Sequence, residues 1–221
     1  MKLTKKKVFV VALAVCLLAV ASMGTLAWFS AEDEVTNKFL VANSEDDPDE
    51  IFSVDVWEKT PGEEKDQDGH DYENIQPGDL LLKEAHVENT GSYDQYIRVT
   101  VTISDAQAWI AALGADFNVT DVFVGFDITK WNHIWNNLSE NPAAEEIVYV
   151  MYYNGTLGVD EDITVFTNVQ IPTSLDQYQM AEFGGNFSIK VEADAVQTAN
   201  VVPEGTAAED AAWTAFKTVE G

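Results

Sequence analysis

The stretch "QYIRVTVTIS", Gln95 to Ser104, alternates without a break. Ile97, Val99, Val101 and Ile103 are apolar, and Arg98, Thr100 and Thr102 between them are polar. A period of two is strand geometry, because successive side chains leave a strand on opposite faces. "NFSIKVEADAV" (186–196) repeats the pattern with Phe187, Ile189, Val191, Ala193 and Ala195. Each such strand has one face for a core and one for water. A chain that carries them must build sheets with a dry side and cover it.

Weaker versions of the pattern recur. "VTNKFLVA" (35–42) places Val35, Phe39 and Val41 on one parity, with Asn37 between them. "IFSVDVWE" (51–58), "LLLKEAHVEN" (80–89), "DVFVGFDI" (121–128), "IVYVMYY" (147–153) and "DITVFTNVQIP" (162–172) read as further strands. Turn residues separate them, as in "NTGS" and "NGTLG". The period changes in two places. "SDAQAWIAALGA" predicts a short helix capped by Ser104 or Asp105 and ended by Gly114. "TAAEDAAWTAFKTVEG" (206–221) opens with Thr206 and Glu209 at capping-box spacing and predicts a C-terminal helix. Residues 129–146 space Trp131, Trp135 and Leu138 helically, yet contain Asn pairs and Pro142, so they read as helix or loop. Eight short strands without βαβ alternation predict an all-β chain. Its class is an antiparallel β-sandwich with short helices in the connections and at the C-terminus. Pattern alone does not distinguish a jelly roll from other sandwiches.

The N-terminus is a different chemistry. Lys2, Lys5, Lys6 and Lys7 precede an apolar run from Val8 to Ala21 that contains Cys16, the only cysteine. A basic segment followed by an apolar one is signal-peptide design. The uncharged span reaches Ala31, long enough to cross a bilayer core of ~30 Å, so length alone leaves an anchor open. Small residues at Thr25 and Ala27 place a cut after Ala27, making Trp28 the first mature residue. Positive-inside logic puts everything beyond that point outside the cytoplasm. The expected divisions are a signal at 1–27, an N-terminal strand and acidic linker at 28–50, a sandwich at 51–200 and a helix at 201–221. Within the second, "SAEDE" reads as linker and 35–42 as strand.

Charge removes some partners. The chain carries −26, and beyond Ala27 there are 8 basic against 38 acidic residues. Such a surface repels nucleic-acid phosphates and anionic lipid heads. Membrane contact is then confined to the signal before cleavage. No disulfide framework is expected of the mature chain. His70, His86 and His133 are far apart, and neither H-E-x-x-H nor G-x-S-x-G occurs, so no catalytic residue is assigned and no enzyme is expected. The acidic loop 59–79 offers Asp66, Asp68, Asp71 and Glu73 as hard oxygen ligands for Ca²⁺. It fails as an EF-hand, because Gly69 at the sixth position puts Ile75 where a bidentate Glu is required. A solvated loop is the simpler reading, and no other cofactor is implied. Trp57, Trp109, Trp131, Trp135 and Trp213, with Tyr149, Tyr152 and Tyr153, could build a sugar-stacking platform or simply fill a core.

The junction "GTLAWFS…EVTNKFLVA" resembles that of secreted proteins cleaved by a SipW-type signal peptidase. The matching residues are Gly24, Thr25, Ala27, Trp28 and Phe29, then Asn37, Phe39 and Val41. Downstream, "IQPGDLLLKEAHVENTGSYDQYIRVTVT", "YVMYYNGTL" and "IKVEADAVQ" resemble later hallmarks of the TasA/camelysin-like group of Gram-positive extracellular proteins. That resemblance implies a jelly-roll type sandwich, secretion to the matrix or cell surface, and self-assembly into biofilm fibres, with other matrix components as further partners. It implies that the freed N-terminal segment, through Val35, Asn37, Phe39 and Val41, pairs as a strand with the next subunit. Camelysin-like relatives have been described as metalloproteases, but no zinc motif here carries that activity over. The alternative is a monomeric cell-surface module binding a glycan or a host protein, with or without Ca²⁺.

Overall fold

The structure is a computed structural model, and it describes residues 30–34, 37–38, 53–67, 69–114, 117–175 and 187–220. The chain folds into two antiparallel sheets packed face to face. In chain order the strands are β1 (Ser30–Glu34), β2 (Asn37–Lys38), β3 (Val54–Thr60), β4 (Glu63–Asp66), β5 (Leu80–Asn89), β6 (Gln95–Ile103), β7 (Phe123–Val124), β8 (Trp131–Asn136), β9 (Ile147–Tyr153), β10 (Asp162–Gln170) and β11 (Ile189–Gln197). The helices are α1 (Ala106–Leu113), α2 (Val119–Val122) and α3 (Ala208–Glu220). One sheet has the order β2-β1-β11-β6-β9-β8, and the other β4-β3-β5-β10-β7. The all-β sandwich expected from the alternation is therefore present.

The alternation also locates the core. In β6 every odd position from Gln95 to Ile103 is buried and every even one is half-exposed. Ile97, Val99, Val101 and Ile103 meet Val54, Val56, Ala85 and Val87 from the facing sheet in one cluster. Phe123 and Phe166 stack within it, with ring centroids 4.3 Å apart. Dry contact between two alternating faces is the main stabilising term of such a sandwich. A second, smaller cluster lies on the outer face of the six-stranded sheet. There α3 lays Ala212, Ala215 and Phe216 over Tyr152 and Val196.

Several local expectations are corrected. Residues 129–146 form neither a helix nor a plain loop: Trp131–Asn136 is an edge strand between 3-10 turns at Ile128–Lys130 and Asn137–Ser139. Its pairing with β9 slips between Asn132 and Trp135, where His133 has φ 48°. The bulge turns the strand over, so Trp131 is buried and Trp135 is exposed four residues later. That four-residue step is what imitates a helix in the sequence. The expected strand 121–128 shrinks to β7, because Asn118 and Asp121 close a capping box over α2. The acidic loop begins with an unforeseen hairpin, since β4 pairs with β3 across Pro61-Gly62, and "EEKD" has no apolar parity to reveal it. Thr206 does not cap α3; its hydroxyl donates to the Pro203 carbonyl instead. Neither does Asp105 cap α1 with its side chain, although Gly114, at φ 92°, ends that helix as expected. Asn154-Gly155 joins strands of different sheets and is not a hairpin turn.

Candidate functional site

The N-terminal segment makes the most consequential departure. The acidic "SAEDE", expected to be linker, is the strand β1, and it lies along β11 of its own chain. The register pairs Ser30 with Val196, Ala31 with Ala195, Glu32 with Asp194 and Asp33 with Ala193. β2 then folds back on β1, pairing Asp33 with Lys38 and Glu34 with Asn37. Backbone pairing asks little of side-chain identity, so a segment with no apolar alternation can still serve as a strand, here between β11 and β2. Of the expected donor residues, Asn37 falls in β2; Val35, Phe39 and Val41 lie outside the described residues, as do Thr25, Ala27 and Trp28.

The acceptor is β11. On one side it pairs with β6 along nine residues, from Ile189 opposite Ile103 to Gln197 opposite Gln95. On its other side β1 covers Ala193 to Val196. Its inward residues Val191, Ala193 and Ala195 belong to the core, so the strand itself is firmly placed. Its outward face carries charge. Asp194 accepts a hydrogen bond from Arg98 Nε (2.7 Å), and Nη2 lies 2.6 Å from the same carboxylate oxygen as an ion pair. Arg98 also pairs with Glu220 of α3, and its guanidinium lies 4.6 Å from the centre of the Phe216 ring. Burial raises the Asp194 carboxyl above the usual carboxylate range, against the opposing pull of Arg98. Burial pulls Arg98 down, but Asp194 and Glu220 more than compensate and hold it above its ordinary value. Arg98 is thus the pin that fastens β6, β11 and α3 together, directly behind the acceptor edge.

The remaining candidates separate on inspection. Asp66 ends β4, where one carboxylate oxygen accepts from Thr60 and the other from the Gly69 amide. Asp71 and Glu73 lie on the loop that follows, and Asp68 is outside the described residues. Among the described residues no group of three His, Cys, Asp or Glu side chains is placed to hold a metal ion. His86 stacks flat on Trp57 at 3.8 Å, and its Nδ1 and Nε2 face Asp162 (2.9 Å) and Glu84 (3.3 Å). Both ring nitrogens are therefore taken. His133 bonds Asp210 at 2.8 Å and stacks on Trp213, fixing the start of α3 to β8. Of the aromatic residues, Trp109, Trp131, Tyr149 and Tyr152 are core, while Trp135 and Trp213 remain 40% and 36% exposed.

Comparisons with family models, with curated proteins and with solved structures return no match. The reading of function consequently rests on the site itself.

Proposed function

We propose that this chain is a secreted structural subunit of an extracellular fibre, and that subunits join by exchanging the N-terminal strand after signal cleavage. The observation that carries the reading is the β1–β11 pairing. A strand lying just past the cleavage junction covers four residues of a nine-residue acceptor, through backbone bonds that another copy could make equally well. Strand exchange needs little redesign, because the same element moves from its own sheet to a neighbour's. A head-to-tail contact of this kind does not close on itself, and so it grows as a filament. The resemblance of the junction to proteins processed by a SipW-type signal peptidase supports the same reading.

Electron microscopy and size-exclusion chromatography test it. Protein starting at Trp28 should form filaments, and protein lacking residues 28–42 should remain monomeric. Equal polymerisation of the two would sink strand exchange. A second reading, a monomeric cell-surface binding module, is favoured by one specific observation: a sizeable cleft at one end of the sandwich. A mature protein that stays monomeric at every pH and salt concentration, yet binds ligand there, would decide for it.

A further inference from the structure

Where β5 and β11 begin and β10 ends, a cleft of about 720 Å³ opens beside the loop 69–75. That is the size of an ordinary small-ligand site. Its lining is mixed, with Ile75, Leu81, Val169, Phe187 and Ile189 as the apolar part and polar groups as the larger share. Its rim is polar, with His70, Asp71 and Glu73, and it is steadied by Tyr72, whose hydroxyl donates to the Leu82 carbonyl.

Lys83 lines this cleft although it is only 9% exposed, and its ammonium pairs with Glu58, itself 4% exposed. An ammonium carries three N–H donors. Among the described residues Glu58 is its one hydrogen-bond partner, which leaves two of its donors unpaired there. Stability alone is a weak reason for the pair, because apolar side chains of similar volume often do as well in its place. A buried cation with unused donors at the wall of a cleft has the properties of a ligand anchor.

Charge then selects the ligand. A simple anion would meet one ammonium and the carboxylates of Glu58, Asp71 and Glu73. A simple cation would meet Lys83. A zwitterion suits both, with its carboxylate on the spare donors of Lys83, its ammonium toward the Asp71 and Glu73 rim, and apolar side chains on the apolar part of the lining. We propose that the cleft binds short apolar peptides by their free termini, without covalent chemistry. This site is independent of strand exchange, and neither stands or falls with the other.

The test uses trileucine as probe, with N-acetyl-trileucine and trileucine amide as controls, followed by amide NMR shifts on the mature protein. Trileucine should saturate and shift residues 70–83 and 187–189. Blocking either end should weaken binding about tenfold or more, the loss of one charge-assisted contact. The paired variant Lys83→Met/Glu58→Gln removes both charges together, and it should bind acid and amide equally. No saturable shift up to about 10 mM trileucine, an affinity too weak for a built site, would overturn the proposal. So would equal affinity of the wild-type protein for free and blocked peptides, a comparison that stands even if the paired variant fails to fold.

Discussion

Replacing Arg98 by Met tests whether the charge behind the acceptor edge matters to the fold. The substitution keeps an unbranched apolar stem and removes the guanidinium with its charge. Asp194 then loses its hydrogen bond from Nε at 2.7 Å and its ion-pair contact with Nη2 at 2.6 Å, while its side chain is only 18% exposed. Breaking a fully buried pair costs about 3–5 kcal/mol, and the residual exposure here, 23% for Arg98, reduces this to about 2–3 kcal/mol. The stack on Phe216 adds about 0.5 kcal/mol. Glu220 adds little, because it is 43% exposed. The cost should depend on pH with a definite sign. Burial already raises the Asp194 carboxyl in the folded protein, and losing Arg98 raises it further. A raised folded value means that stability is retained at low pH and lost as pH rises through that value. The deficit should therefore be full at pH 7 and largely gone at about pH 3.5, below the ordinary aspartate value. Urea unfolding followed by tryptophan fluorescence measures both. The double variant Arg98→Met/Asp194→Asn removes the stranded charge and should lie within about 1 kcal/mol of the parent protein at pH 7. If single and double variants were equally unstable there, the deficit would come from lost packing, and the electrostatic account would be wrong.

Three further outcomes are expected. Gly125→Ala places a methyl group 2.9 Å from Thr167 Cγ2 at a residue with φ 80°, and should lower the melting temperature by about 5–10 °C in calorimetry, since strain and clash together cost about 2–3 kcal/mol. Burial pushes the Tyr72 hydroxyl up to about 12, so a Tyr72→Phe difference titration in the ultraviolet should show a phenolate component with that midpoint, and the stability Tyr72 contributes should be present below pH 10 and lost as pH rises from about 10 through 12. Filaments of the mature chain should grow faster on acidification or on adding salt or Ca²⁺, as light scattering would show, because subunits near −30 repel one another; indifference to all three would remove charge as the gate.

The fold was legible wherever one face of a strand is dry. The odd positions of β6 are buried as the alternation requires, and the inward residues of β11 follow suit. Legibility failed where side chains do not report the backbone. β4 is wholly polar, so nothing distinguished it from the acidic loop around it. β8 carries a bulge, and the extra residue converted a two-residue period into an apparent helical step. The buried pair of Lys83 and Glu58 was hidden for another reason. Their strands are separated by the hairpin and the acidic loop, so only the register of β3 against β5 brings the two charges together.

The same distinction bears on the candidate site. Sequence pattern favoured 35–42 as the strand near the junction, because it looks for side chains that fill pockets. The structure also pairs "SAEDE", as β1 between β11 and β2, and β2 is Asn37–Lys38 of the favoured segment. The register of β1 on β11 runs from Ser30 opposite Val196 to Asp33 opposite Ala193. That pairing is the same whether β1 belongs to its own chain or to a neighbour. Acid would therefore relieve repulsion between subunits without favouring exchange over self-pairing. On the proposed reading, the choice between those two states must follow the concentration of subunits relative to the effective concentration of the tethered strand. Diluting preformed filaments at constant pH should accordingly return monomer with β1 on its own β11, while acidification at constant concentration should change the rate of growth first.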